Sequence, residues 1–268
     1  SIWGLAFSGA TLAWAGALLT VLPFIALYLR ATRSGSLART SHRLPVLSAA
    51  TLTGGGIAVY GYLQAGQDAA LAVAAAVVGV AGFFLFDFWY SSFGRKLNPV
   101  LAPGNRLPDF GATDLAGQPV RPSDLLGRPA LYMFYRGNWC PFCMAQVREV
   151  MGLYRELSDL GTEIVLISPQ ATELTQRVAD MFDVPCRFWV DSELTAAGEL
   201  GLRDMDGVPV GPLARQYGKN TVLPTVIITD EHGKILFADQ TDNYRVRPDP
   251  AVFLRVLHSH GFRTAAGD

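Results

Sequence analysis

Two cysteines separated by two residues, Cys140 and Cys143, are the side chains of this chain best suited to chemistry. Residues 139–143 read Trp-Cys-Pro-Phe-Cys. A thiolate is a nucleophile, and a second thiol three residues later can attack the mixed disulfide or sulfenic acid that the first one forms. The spacing therefore predicts a redox centre. The alternative is that both cysteines are small core residues, as free cysteines often are.

The neighbouring elements are expected to place this pair at the start of a helix. Residues 130–135 are apolar and aromatic, as is typical of a buried strand. From Pro141 to about Leu160, apolar residues recur at the spacing of one helix face. Cys140 would then lie at a helix N-terminus, where unpaired N–H groups and the helix dipole favour a thiolate. Pro141 suits the first turn because it has no N–H to leave unsatisfied.

Composition divides the chain into two parts. Half of its 268 residues are hydrophobic and only 17% are charged, which is unusual for a soluble protein. Residues 1–106 hold seven basic and two acidic residues, for a net charge of +5. Residues 107–268 hold fifteen and twenty-one, for a net charge of −6. The acidic C-terminal part argues against nucleic acid as a partner.

The N-terminal part contains three apolar stretches, at about 2–29, 44–64 and 69–90. About 20 apolar residues suffice to cross a bilayer, so the sequence predicts a membrane domain of three transmembrane helices over residues 1–90. The first stretch is longer than the apolar core of a cleaved signal peptide and lacks a basic start. Asp87, near the end of the third stretch, is expected to be an interfacial, solvated acid.

Basic residues predict the orientation in the membrane. Between the first two stretches lie Arg30, Arg33, Arg39 and Arg43, and after the third lie Arg95, Lys96 and Arg106. The positive-inside rule then puts the N-terminus outside and the C-terminal domain in the cytoplasm, in a bacterial-type inner membrane. Three cysteines in total also fit a reducing compartment. A periplasmic domain is the alternative.

Small residues in the apolar stretches permit close contact between helices. They occur at residues 54–56 and repeatedly between residues 74 and 82. One interpretation is that the three helices pack on each other. The other is an interface with a membrane-protein partner or with a second copy of this chain.

Residues 91–106 are expected to be a linker and residues 107–268 a redox domain. Strands are predicted at 130–135, 163–167, 187–190, 225–229 and 234–238. Helices are predicted at about 141–160, 173–182 and 194–200, and from 249 onward. Strand, helix and strand in succession make a right-handed parallel crossover, and residues 230–233 form a hairpin turn. The predicted fold is α/β, with a mixed sheet of about five strands and helices on both faces.

The C-terminal part, over residues 105–260, resembles the peroxiredoxin-like AhpC/TSA family of the thioredoxin-like superfamily. The resemblance rests on Leu-Pro-Asp-Phe at 107–110, Phe-Tyr-Arg-Gly-Asn-Trp-Cys-Pro-Phe-Cys at 134–143, Ile-Ser-Pro-Gln at 167–170, Leu-Pro-Thr at 223–225 and His-Gly-Lys-Ile at 232–235. It implies a thioredoxin-like fold in which Cys140 attacks and Cys143 resolves. It also implies that Pro224 is a cis-proline facing the cysteines, with the Leu223 carbonyl exposed to substrate.

Residues around the pair are expected to support it. Family members carry Thr or Ser three residues before the attacking cysteine, to orient a peroxide, whereas this chain has Gly137 there. Arg136 either stabilises the thiolate by its charge or is a surface residue. The resemblance places an active-site arginine at Arg247 or at Arg245. Trp139 would form the rim of the site and offer an apolar surface to a protein partner.

Other candidate residues favour structural roles. Cys186 has no partner cysteine nearby in sequence and is interpreted as core packing. His258 and His260 are expected to be solvated. A single Cys-x-x-Cys cannot supply a tetrahedral zinc site, and dithiol chemistry needs no bound cofactor.

These observations predict a membrane-anchored thiol–disulfide oxidoreductase that an external thiol reductant restores. The first interpretation is peroxiredoxin-like reduction of hydroperoxides, including those of membrane lipid. The second, which Gly137 favours, is a thioredoxin-like reductase that acts on the disulfide of a membrane protein. The third is a redox-responsive subunit of a membrane complex.

Overall fold

The computed structural model describes residues 8–33 and 41–263. Within this part the chain divides into two compact units. The first contains the described residues up to Phe93 together with Asn243–Val246, and the second contains Gly94–Asp242 and the described residues from Arg247 onward. Residues 2–7 of the predicted first span, and Arg39 of the predicted basic loop, lie outside the described residues.

Helices make up most of the described first unit. They are α1, Gly9–Arg33; α2, Pro45–Ala65; and α3, Ala70–Leu85. Pro45 begins α2 at a first-turn position, where its missing N–H costs nothing. Gly66 ends α2 with a φ of 61°, and a short 3-10 turn then leads into α3. A π-helical turn, Phe86–Tyr90, follows α3.

Two stretches among the described residues are apolar and long enough to cross a membrane, Gly9–Arg30 and the 46-residue Pro45–Tyr90. The second contains both α2 and α3, which the turn at Gly66 separates. Helices α1 and α2 have 25 and 21 residues, whereas α3 has 16. About 20 helical residues cross a bilayer. Three separate spans therefore stay a prediction.

Glycines bring α1 and α2 into backbone contact. A Cβ atom on Gly16 would lie 2.4 Å from the Ala58 nitrogen, and one on Gly54 would lie 2.7 Å from the Gly16 oxygen. Any larger side chain at these positions would push the helices apart. By contrast, a Cβ atom on Gly56 or Gly82 would meet no described atom within 4 Å. Gly54 thus serves packing within the unit, and an interface with a partner stays a prediction.

Asp87 is buried rather than solvated, so the expectation for this residue was wrong. It is 2% exposed, and its Oδ1 atom lies 2.8 Å from Nη2 of Arg245, which is 3% exposed. Arg245 also donates from Nε to the Ser91 hydroxyl at 3.0 Å. An acid surrounded by apolar helices is stable when an opposite charge and hydrogen bonds replace its hydration, and Arg245 supplies them here. The sequence pattern could not show this partner because it lies 158 residues away.

The described second unit contains a seven-stranded mixed sheet and a separate two-stranded sheet. The strands are β1, Ala112–Asp114; β2, Pro119–Val120; β3, Ala130–Phe134; β4, Glu163–Ser168; β5, Arg187–Val190; β6, Arg203–Asp204; β7, Thr221–Val222; β8, Thr225–Thr229; and β9, Ile235–Asp239. The large sheet has the order β2-β1-β5-β4-β3-β8-β9, in which β3, β4 and β5 are parallel. Its other pairings are antiparallel. The sequence predicted about five strands, and it missed β1, β2, β6 and β7, because two or three residues show no alternation.

Helices connect these strands. They are α4, Pro141–Gly152; α5, Tyr154–Asp159; α6, Thr172–Ala179; α7, Thr195–Glu199; α8, Pro212–Tyr217; and α9, Pro250–Ser259. The single helix expected from Pro141 to about Leu160 is interrupted at Leu153, directly after Gly152, a weak helix former. Asp249 caps α9 by accepting the Ala251 N–H at 2.9 Å. The six residues of α8 are too few to show helical periodicity in sequence.

The core fixes the strand from which the cysteine loop departs. All five residues of β3 are buried. On one side, Tyr132 and Phe134 pack with Phe110, whose ring centroid lies 5.6 Å from that of Phe134. Trp189 of β5 contacts both Phe110 and Tyr132. Burying each of these side chains contributes about 1.5–3 kcal/mol to the stability of the fold, so the end of β3 is held rigidly in place.

Candidate active site

The loop at residues 135–139 leads from β3 to Cys140 at the N-terminus of α4. Cys140 is the N-cap residue, and its Sγ atom accepts the N–H of Cys143 at 3.4 Å. Pro141 occupies the first turn. Cys140 is 4% exposed and Cys143 fully buried, so Cys140 has the sulfur that a substrate reaches first. The structure therefore brings the two predicted thiols together at a helix N-terminus.

The two thiols ionise as a pair. Burial opposes a charge on Cys143, but its hydrogen bond with Cys140 and the charges of Arg247 and Arg136 outweigh burial and lower its pKa to about 6. The backbone N–H of Arg136 also stabilises this thiolate. The hydrogen bond with Cys143, together with burial, raises the pKa of Cys140. Because one proton is shared between hydrogen-bonded sulfurs, the pair carries one negative charge at neutral pH.

Of the two candidate arginines, Arg245 and Arg247, it is Arg247 that lies near the thiols. It is 5% exposed, and its positive charge favours the thiolate form of both cysteines, although the hydrogen bond with Cys143 and burial still raise the pKa of Cys140 overall. Arg245 belongs to the first unit, where it pairs with Asp87. Sequence alone left the two arginines as alternatives, and only burial and neighbours separate them.

Arg136 is held in place rather than extended into solvent. Its Nη2 atom lies 3.2 Å from Oδ2 of Asp204 and donates to the Gly207 carbonyl. Its guanidinium carbon lies 5.0 Å from the Trp139 ring centroid. The Thr221 hydroxyl donates to the Arg136 carbonyl at 3.1 Å. These contacts fix a positive charge beside the thiol pair.

Gly137 has a conformation and surroundings that exclude a side chain. Its φ of 139° lies in the region that favours glycine. A Cβ atom there would lie 2.8 Å from Nε1 of Trp139 and 3.1 Å from Oε1 of Gln170. The Trp139 indole thus occupies the space into which a Thr or Ser side chain would project. The hydroxyl that family members carry at this position has no room in this fold.

Pro224 follows a trans peptide bond, so the expected cis-proline was wrong; no described peptide bond is cis. An X–Pro bond adopts trans unless its surroundings enforce cis, and here hydrogen bonds satisfy the trans arrangement. The Leu223 carbonyl accepts the Thr225 hydroxyl at 2.9 Å, and the Pro224 carbonyl accepts Nη1 of Arg95 at 3.2 Å. The Leu223 carbonyl therefore already accepts one hydrogen bond from within the chain.

Sequence reasoning missed several polar side chains that hold the cysteine loop. Gln170 accepts the Asn138 N–H at 2.8 Å, and the Tyr217 hydroxyl donates to the Asn138 side chain at 2.6 Å. Gln170 was noted only as part of a family motif, and Asp204 and Tyr217 lie in a region without a predicted element. The sequence carried no local signal for these contacts because they connect separate loops.

The remaining candidates lie away from the pair. Cys186 is half-buried, with its sulfur 3.5 Å from that of Met151, and burial raises its pKa to about 11. A thiol with that pKa stays protonated near neutral pH, which fits a packing role. His258 and His260 at the end of α9 are exposed.

The chain is similar in sequence to one known protein family and to several named proteins. The sequence model of the AhpC/TSA family matches residues 103–238, just over half of the chain. The thiol-disulfide oxidoreductase ResA of Halalkalibacterium halodurans is 28% identical over 162 residues, covering 60% of this chain and 79% of that protein. A Mycobacterium tuberculosis protein that carries a peroxiredoxin name is 31% identical over 143 residues, covering 52% of this chain and 84% of its own.

Among solved structures, peroxidoxin BcpB from Mycobacterium tuberculosis matches with a TM-score of 0.48 and 22% identity, covering 59% of this chain and 97% of that one. The α/β fold, with a mixed sheet and helices that connect its strands, is as the sequence predicted. The family model and the relatives confirm the resemblance that the motifs indicated. We conclude that this chain belongs to the AhpC/TSA family and is a thiol-dependent oxidoreductase.

Proposed function

We propose that the chain is a membrane-anchored thiol–disulfide oxidoreductase that reduces protein disulfides with Cys140 and Cys143. The observation that carries this proposal is the thiol pair itself. Its two sulfurs are hydrogen-bonded at a helix N-terminus, and the pair is charged at neutral pH. This arrangement supplies both a nucleophile and a resolving thiol within one turn of helix.

The reaction begins when the shared proton moves to Cys143, which leaves the charge on the more exposed sulfur of Cys140. This thiolate attacks one sulfur of the substrate disulfide, forms a mixed disulfide and releases the other substrate sulfur as a thiolate. Cys143 then loses its proton to the released thiolate or to water and attacks Cys140 Sγ, which expels the second substrate thiol. The substrate gains two electrons, the chain holds a Cys140–Cys143 disulfide, and an external thiol reductant reverses the oxidation.

Gly137 favours disulfide over hydroperoxide as the substrate. The space for the peroxide-orienting hydroxyl is filled by Trp139, and a Cβ atom at Gly137 would clash. The half-buried Trp139 ring beside Cys140 offers an apolar contact of the kind that a protein substrate uses. Hydroperoxide reduction is the second candidate, favoured by the positive charges of Arg136 and Arg247 near the sulfurs and by the 31% identical relative with a peroxiredoxin name.

Parallel oxidation of the reduced full-length chain in detergent separates the two candidates. Insulin serves as the disulfide probe and cumene hydroperoxide as the peroxide probe, and mass spectrometry follows formation of the Cys140–Cys143 disulfide. With dithiothreitol added to restore the dithiol, we expect insulin to be reduced catalytically, whereas in its absence peroxide oxidises the pair no faster than a free thiol. Rapid oxidation by peroxide together with no turnover of insulin would overturn the proposal.

Three cysteine variants assign the roles within this reaction. Cys143→Ser is expected to accumulate a mixed disulfide on Cys140, whereas Cys140→Ser is expected to be inactive. Cys186→Ser is the matched control and should keep the wild-type rate. Equal rates in all three variants would show that the proposed pair does not carry the reaction. Retention of the protein's role in cells by a double Cys140→Ser/Cys143→Ser variant would instead favour a redox-responsive subunit of a membrane complex.

The membrane location is part of the proposal. It is supported by the apolar stretches Gly9–Arg30 and Pro45–Tyr90 and by the low charge of the N-terminal part. We further propose that the N-terminus lies outside and the redox domain in the cytoplasm, since the basic residues flank the first and third apolar stretches on that side. A membrane protein with a reducible disulfide is then the fitting substrate.

A further inference from the structure

We infer that Gln170 is a positioning residue for the thiol pair, acting through the loop that precedes Cys140. This inference rests on the proposed role of the pair and deepens it. Gln170 is 3% exposed and lies in the loop after β4, the parallel neighbour of β3. The side-chain amide uses both of its ends: Oε1 accepts the Asn138 N–H at 2.8 Å, and Nε2 donates to the Tyr135 hydroxyl at 3.4 Å.

The residues that Gln170 connects stand on either side of the backbone groups that hold the two cysteines. Between Tyr135 and Asn138 lie Arg136 and Gly137. The Arg136 N–H stabilises the Cys143 thiolate, and the Gly137 carbonyl accepts the Cys140 N–H at 3.2 Å. Gln170 therefore fixes the two ends of a four-residue segment whose middle sets the geometry of both sulfurs.

Gln170 is itself anchored, so it can impose a position on that segment. Its N–H donates to the Ser168 hydroxyl at 3.3 Å, and its carbonyl accepts the Thr175 hydroxyl at 3.5 Å. Ser168 is the buried last residue of β4, and Thr175 is a buried residue of α6. Anchored hydrogen bonds of this kind are the supporting shell that keeps a reactive group in its productive geometry.

The side chain of Gln170 packs closely against the cysteine loop, so substitutions at residue 170 are expected to affect that loop. Oε1 of Gln170 lies 3.1 Å from the place where a Cβ atom of Gly137 would be, so no gap separates the amide from the loop. A side chain of similar size without polar atoms would fill this space but leave the Asn138 N–H without its acceptor. The hydrogen bond and the volume of Gln170 can thus be tested separately.

The test is the pH profile of Cys140 alkylation by iodoacetamide in the reduced full-length chain, read by mass spectrometry, for wild type and Gln170→Met. Loss of the amide lets the Arg136 N–H turn away from the sulfurs, so the pKa of the pair rises. We expect alkylation about tenfold slower at pH 5, where a rise of one pKa unit lowers the thiolate fraction about tenfold. At pH 9.5 the two rates should agree within about twofold.

Gln176→Met is the matched control. Gln176 is an exposed glutamine on α6, the helix that carries Thr175, and its amide donates to the Asp180 carboxylate at 2.7 Å, so its replacement should leave the profile unchanged. A parallel loss of rate at every pH in Gln170→Met would indicate a structural defect and overturn the inference. So would a profile identical to that of wild type.

A second variant, Tyr135→Phe, tests the same contact if Gln170→Met does not fold. Tyr135→Phe removes the hydroxyl that holds Nε2 of Gln170 and should shift the profile in the same direction by a smaller amount. An unshifted profile in this variant would also contradict the inference. If the wild-type chain itself shows no thiol that reacts below pH 7, the proposed role of the pair fails instead, and the two failures are distinguishable.

Discussion

In the proposed mechanism, Cys140 and Cys143 divide the requirements of thiol–disulfide exchange between them. Cys140 has the exposed fraction and the helix N–H, whereas Cys143 is buried next to the charge of Arg247 and the backbone of Arg136. An exchange reaction needs one sulfur that meets the substrate and a second that waits until the mixed disulfide forms. Because their hydrogen bond shares one proton, the position of that proton determines which sulfur carries the charge and acts as the nucleophile.

The lowered pKa of the pair predicts the pH dependence of labelling. Thiolate, the reactive form, increases as pH rises through the pKa. Because the pair shares one proton and the pKa of Cys143 is lowered to about 6, alkylation at the pair should already be substantial at pH 7, whereas alkylation of Cys186, whose pKa is raised to about 11, should not. Peptide-level mass spectrometry after brief alkylation measures both sites in one sample. Equal labelling of both cysteines at pH 7 would contradict this ordering.

Gly137 is expected to tolerate no side chain. Gly137→Ala places a Cβ atom 2.8 Å from Trp139 and forces a non-glycine residue to a φ of 139°. Strain of this kind costs about 1–3 kcal/mol, so the thermal midpoint and the rate of insulin reduction should both fall. Gly152→Ala is the control, since a Cβ atom there meets no described atom within 4 Å. A Gly137→Ala variant as stable as Gly152→Ala would show that the loop can rearrange.

At the scale of elements, strand β3 and the start of helix α4 lie where the sequence predicts them, whereas the short elements were not predicted. The aromatic run of β3 and the apolar spacing of α4 each span enough residues to carry a period. Strands β1 and β2 and helix α8 are too short for that, yet Tyr217 at the end of α8 holds the cysteine loop. Elements of this size exist because of tertiary contacts, which no local pattern encodes.

The ion pair between Asp87, just after α3, and Arg245 should contribute to the stability of the first unit. Asp87→Asn leaves Arg245 charged and buried, and removing one partner of a buried pair costs about 3–5 kcal/mol. The thermal midpoint of the full-length chain in detergent should fall accordingly. Asp68→Asn, which changes an exposed acid, should leave it unchanged. A double Asp87→Asn/Arg245→Gln variant should recover part of the loss, and no recovery would argue against the pairing as its cause.

At the scale of the whole molecule, charge and hydropathy separate two kinds of surface. The N-terminal 106 residues carry a net charge of +5 and many exposed large apolar side chains, such as Leu63 and Leu71 at 76% and 77% exposure. The C-terminal 162 residues carry a net charge of −6, and many of their large side chains are buried, among them Tyr132, Phe134 and Trp189. Apolar exposure on this scale is stable in lipid and unfavourable in water, which supports the proposed membrane location.

Fractionation of cells that express the full-length chain tests that location. The chain should stay in the membrane fraction after alkaline carbonate and high salt, and only detergent should release it. A membrane-impermeant thiol reagent should label Cys140 in everted vesicles but not in intact spheroplasts, since the redox domain is proposed to be cytoplasmic. Release by carbonate would contradict the anchoring, and labelling in spheroplasts would place the domain on the other side.

The sequence by itself determined the position of the proposed thiol pair, the strand and helix that carry it, the family and the apolar character of the N-terminal part. Each of these features follows from neighbouring residues or from a motif. Only the tertiary structure decided that Arg247 rather than Arg245 lies near the thiols, that Asp87 is paired, that Pro224 is trans and that Gln170 holds the loop. These features depend on contacts between residues far apart in sequence, whose burial and partners exist only once the chain has folded.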